Sequence, residues 1–182
     1  MQAQFSRYTP AVISWLQTLL QERFGHAFTL QPQVDGKLTM ILPGSDRIIT
    51  LVSDDATFTR MDSNLPCIQW DADAEGWHTA LRPSLSAPGM EKLPTPLITP
   101  TSQGLHIGYD ILGLTYWMLS RQEEVGRTDL DAHGRFPAVS SHAFKHDYLE
   151  RPIVDEWLHI LGQAIQRVWP GLPLKQHRFE MK

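Results

Sequence analysis

Between Asp110 and Glu124 the chain carries Ile111, Leu112, Leu114, Tyr116, Trp117, Met118 and Leu119. Read as a helix from about Ile111 to Glu124 with Asp110 as its cap, this segment has apolar residues on nearly every face. Such a helix has to be central, covered on several sides by other elements. A second helix offers one of those covers. Pro152 opens it, and Ile153, Val154, Trp157, Leu158, Leu161, Ile165 and Val168 form a single stripe, stopped by Trp169-Pro170-Gly171. A third starts at Thr9-Pro10, runs its stripe through Val12, Ile13, Leu16, Leu19 and Leu20, and ends at Gly25.

Short alternating segments at Phe28–Gln31, Leu38–Leu42 and Arg47–Val52 are separated by the turn signals Asp35-Gly36 and Pro43-Gly44-Ser45-Asp46, predicting a small antiparallel meander. Cys67–Trp70 and Leu105–Ile107 read as further short strands. Pro83, Pro88, Pro94, Pro96 and Pro100 predict extended or looped chain between them. The expected fold is one α/β domain over residues 1–182, a small mixed or antiparallel sheet packed with two or three main helices. Residues 1–104 supply a helix, strands and the proline-rich region; residues 105–182 supply the helical part.

Sixteen basic against twenty acidic residues give a net charge of -4, with the basic ones scattered, which argues against a nucleic-acid-binding protein. No run approaches the ~20 apolar residues of a membrane span. The N-terminal residues do not read as a secretory signal, so the expected location is cytoplasmic. The single cysteine, Cys67, follows Pro66 in an apolar stretch and reads as a buried hydrophobe.

No glycine-rich phosphate loop, HExxH pair or GxSxG elbow is present. Asp129, Asp131 and His133 before Gly134 imitate the start of a calcium loop, but Ser140 stands at the twelfth position, where a bidentate carboxylate belongs. A solvated loop with an Asx-type turn is the favoured reading, and a looser divalent site the alternative. Glu123 and Glu124 diverge by about 100° on a helix and cannot face one another. Arg121 and Glu124 share a face, predicting a buried ion pair or one wall of a pocket. Asp155 and Glu156 fall in the first turn of the last helix, where acidic residues suit the helix dipole. Arg121, Glu124, Asp131, His133, Arg135, Arg151 and Asp155 nevertheless concentrate polar chemistry beside two apolar helices. They are the candidate substrate-binding residues of a polar cleft, and the arginine forks suit the carboxylate or phosphate of an acidic or nucleotide-linked sugar.

Three runs in order carry a resemblance: Tyr109–Gly113 continuing through Leu119–Glu124, then Asp131–Ala138, then Leu149–Trp157. They resemble an uncharacterised domain found in front of bacterial polysaccharide-deacetylase-like (NodB-type) catalytic domains, in proteins associated with surface-polysaccharide and O-antigen biosynthesis. The likeness is strongest over residues 105–182. It implies a non-catalytic accessory domain that assists glycan binding or positioning, with the deacetylase-like domain of the same protein as its partner. It also implies that Arg178-Phe179-Glu180 is a strand leading into that domain, whose His-Asp-x-Asp element would supply the base and the ligands of a divalent metal. No residue of this chain matches that element, so no catalytic residue, cofactor or metal is expected here. The alternatives are a stand-alone sugar- or nucleotide-acting enzyme using Arg121, Glu124, Asp131, His133 and Arg135, and a protein-interaction module with an exposed apolar patch.

Overall fold

Thr9 accepts a hydrogen bond from the Val12 amide (3.3 Å), and Pro10 takes the first helical position, where its missing N–H costs nothing. In the computed structural model, which describes residues 8–175, helix α1 accordingly runs Pro10–Phe24. Gly25 stops it in the left-handed conformation (φ 80°), its amide bonded to Gln21 O. The meander follows as predicted: β1 (Thr29–Pro32), β2 (Lys37–Ile41) and β3 (Ile48–Val52), each antiparallel to the next.

After the short helix α2 (Asp55–Phe58), β4 (Cys67–Asp71) and β5 (Ser84–Pro88) form a separate antiparallel hairpin. Strands β6 (Ile98–Thr101) and β7 (Gly104–Ile107) then return to the first sheet, completing the order β1-β2-β3-β7-β6. The sheet is mixed, because β7 lies parallel to β3 with Thr50 opposite His106. The predicted mixed α/β domain is therefore observed.

Helix α3 spans Ile111–Leu119. The buried Asp110 carboxylate caps it by accepting from the Gly113 amide (2.7 Å), and also takes the Tyr8 hydroxyl (3.0 Å) and the Asp54 amide (2.8 Å). The helix ends five residues before the expected Glu124. The Ser120 hydroxyl donates back to Tyr116 O, Arg121 turns left-handed (φ 55°), and Gln122–Glu124 continue as one 3₁₀ turn. After the short α4 (His142–Lys145), α5 runs Ile153–Val168, again as predicted.

Helix α5 packs on α3, on β3 and β7 of the large sheet, and on β5 of the hairpin. Its fully buried Trp157 joins these layers. The ring stacks on Trp70 of β4 (centroids 5.3 Å apart) and lies 4.5 Å from Tyr109, while the indole N–H donates to Ser86 O of β5 (2.8 Å). The expected strand at Arg178–Glu180 lies outside the described residues. Among those described, no helix is long and apolar enough to cross a membrane.

Candidate functional site

The sequence places seven polar residues in one candidate cleft, and the structure gives each its own local partner. Arg121 and Glu124 do pair, Nε to Oε1 at 2.6 Å and Nη2 to Oε2, but the arginine side chain is 71% exposed. The pair is a surface staple and not the buried one expected, because α3 has already ended and Arg121 points out of its left-handed turn. Asp131 accepts the amides of His133 (2.8 Å) and Arg135 (3.0 Å) through one oxygen and the Arg135 guanidinium through the other. This is the expected Asx-type turn. Asp129 is gripped by Arg127, whose hydrogen bonds bring its carboxyl down to about 2. Among the described residues no group of three His, Cys, Asp or Glu side chains is placed to hold a metal ion.

Arg151 takes the neighbour of the predicted Asp155. Its Nε and Nη2 reach Glu156 at 2.9 and 2.6 Å, and Nη2 also donates to Ser84 O (2.9 Å). Both side chains are buried, so this pair ties the start of α5 to β5 and faces no ligand. Asp155, one residue earlier, turns to the opposite side and meets Arg23 of α1 at 2.7 Å.

That last pair borders a groove. Leu19, Glu22 and Arg23 of α1, Leu119 at the end of α3, Val154, Asp155 and Leu158 of α5, and Lys175 surround an open cavity of about 550 Å³. A second cavity of about 290 Å³ adjoins it, sharing Arg23, Leu158 and Lys175 and extending to His159, Gly162 and Gln166. Both volumes are close to or within the range of small-molecule sites. Each helix contributes for a local reason. Leu19 and Arg23 are four apart on α1, and Val154 and Leu158 four apart on α5, so each pair lies on one face. Gly162 has no side chain to fill the space under Phe24, where a Cβ would stand 3.2 Å from the ring. The Lys175 amide donates to Phe24 O (3.0 Å), and His26 Nε2 lies 2.8 Å from Pro173 O, fastening the end of the described chain along the groove.

The larger cavity is lined by four aliphatic and four charged side chains. Leu119 is 51% exposed there, the unburied remainder of the helix whose apolar residues covered every face. Trp15 and Tyr116, spaced to share helix faces with Leu19 and Leu119, meet edge to face at 5.8 Å. Among the described residues, the smaller cavity carries Arg23, His159 and Lys175 and no carboxylate in its lining. Of the seven predicted residues only Asp155 borders the groove. Arg23, His159 and Lys175 were missed, since only the meeting of α1, α5 and the chain after Gly171 brings them together. The one available signal was Leu119, an apolar residue surplus to any single buried face.

The sequence model described as "Family of unknown function (DUF7033)" matches residues 3–170. The chain belongs to this family. No curated protein and no solved structure matches it. The DUF7033 match covers α1, α3 and α5, and hence the helical walls of the groove.

A second polar cluster in this DUF7033 domain is sealed. His142 is fully buried, with Nε2 2.9 Å from Leu65 O and Nδ1 2.5 Å from the Tyr148 hydroxyl. A carbonyl only accepts, so Nε2 carries the proton and Nδ1 accepts from Tyr148. Burial, with the tilted His146 ring centred 4.4 Å away, brings His142 down to about 4. Burial likewise pushes the Cys67 thiol up to about 11, so the part-buried Cys67 is a packing residue and no nucleophile at neutral pH.

Proposed function

We propose that this chain is the non-catalytic N-terminal accessory domain of a bacterial polysaccharide-deacetylase-like protein, assisting glycan binding or positioning in surface-polysaccharide biosynthesis. The observation that carries the reading is the α1–α3–α5 groove, an open cavity lined by the aliphatic Leu19, Leu119, Val154 and Leu158 and by the charged Glu22, Arg23, Asp155 and Lys175. Pyranose rings present that same combination, an apolar C–H face and a polar edge. The ordered runs Tyr109–Glu124, Asp131–Ala138 and Leu149–Trp157 support the link to a deacetylase-like partner. In this reading the partner domain brings the divalent metal and the base, and this chain contributes recognition.

The test is steady-state deacetylation of an acetylated polysaccharide by the joined protein, with and without Leu119→Glu at the exposed groove wall. The expected result is a KM raised about tenfold with kcat little changed, the signature of lost ground-state binding. An unchanged KM would sink the reading. The interaction-module alternative is favoured by the same exposed Leu119. It predicts a concentration-dependent dimer in light scattering that Leu119→Glu disperses.

A further inference from the structure

We propose that the smaller cavity of the groove is an anion subsite, built for the carboxylate or phosphate of a charged sugar whose ring lies in the larger, apolar cavity. The inference rests on the glycan-binding reading and adds the charge of the ligand. Three basic side chains, Arg23, His159 and Lys175, line this 290 Å³ space, and among the described residues its lining holds no acidic one. The acidic groups, Glu22 and Asp155, lie on the other cavity only. Asp155 holds the Arg23 guanidinium at the junction of the two (2.7 Å), which spares that long side chain part of the ordering cost of binding. Gln166 adds an exposed amide beside the cations. Gln163 is already committed, accepting from the His78 amide (3.0 Å) and donating to His78 O (2.6 Å). The aliphatic side chains Leu19, Leu119 and Val154 line the larger cavity alone and His159 the smaller alone, with the Arg23–Asp155 ion pair where the two meet. A neutral sugar would offer those basic side chains no charged partner.

The experiment is calorimetric titration of the 182-residue chain with a glucuronic acid oligomer, its methyl ester as the uncharged match, and a nucleoside-diphosphate sugar. The acid is expected to bind at least tenfold tighter than the ester, and more weakly as salt is raised. The double variant His159→Ala, Lys175→Glu should remove that preference, bringing acid and ester to the same affinity. Both positions are exposed, and Lys175→Gln, with an unaltered melting temperature, guards against a folding artefact. Tighter binding of the nucleotide sugar, lost in the same variant, would assign the anion to phosphate. Equal affinity for acid and ester, or indifference to the variants, overturns the subsite and leaves the glycan reading standing. No binding of any of the three overturns both.

Discussion

His142 is held neutral because burial, and the His146 ring beside it, disfavour its charged form. Leu65 O fixes the proton on Nε2 and Tyr148 fills the lone pair of Nδ1. In the unfolded chain the same imidazole titrates near 6.5. Between pH 6.5 and about 4 the unfolded state therefore binds a proton that the folded state refuses, so stability falls as pH falls through that window. The full shift is worth about 3 kcal/mol. Urea unfolding at intervals from pH 7 to pH 4 should show the decline, flattened in His142→Gln, whose amide keeps a donor and an acceptor. An identical slope in the variant would remove His142 as its source. Residue-scale reasoning from sequence failed here because His142 and Tyr148 stand in a polar, irregular stretch, and their burial under Leu65 is a tertiary fact. It failed similarly at Arg151, where composition offered Asp155 and Glu156 alike and only packing against Ser84 selects Glu156.

At the level of elements, whatever is decided locally could be read in advance. The Thr9-Pro10 start, the Gly25 stop, the meander turns and the stripe of α5 all depend on neighbours within a few positions. Strands β5 and β6 were hidden by their prolines. Pro100 is tolerated because β6 is an edge strand, and Pro88 because it ends a two-stranded hairpin. The join between β3 and β7 was hidden too, yet it has the sharpest steric requirement. Gly104 (φ 153°) lies so close to β3 that a Cβ there would stand 2.0 Å from Ile48 O. Backbone cannot swing aside as a side chain can, so Gly104→Ala should cost ~3 kcal/mol or more. Chemical denaturation measures it. A loss under about 1 kcal/mol would mean that β7 shifts freely against β3.

Across the whole molecule, Trp157 makes one body of two sheets. Its contacts reach β4, β5 and Tyr109, whose hydroxyl in turn donates to Pro88 O (2.8 Å). The hairpin should consequently unfold with the large sheet, so that indole fluorescence and far-ultraviolet circular dichroism trace one transition. Trp157→Ala should cost about 3–5 kcal/mol and separate the two curves. Coincident curves in the variant would show that Arg151 and the remaining core hold the layers together without it.

The parallel pairing of β3 with β7 also governs the order in which the protein can be born. Thr50 waits for His106, 56 positions later in the chain. At about 5–20 residues per second the ribosome leaves that edge of β3 bare for roughly 3–11 s. During this interval the meander exposes a row of unpaired amides and carbonyls beside Ile49 and Leu51, open to any nascent strand that passes. A slow translation site between the codons for β3 and β7 would lengthen the exposure and lower the soluble yield.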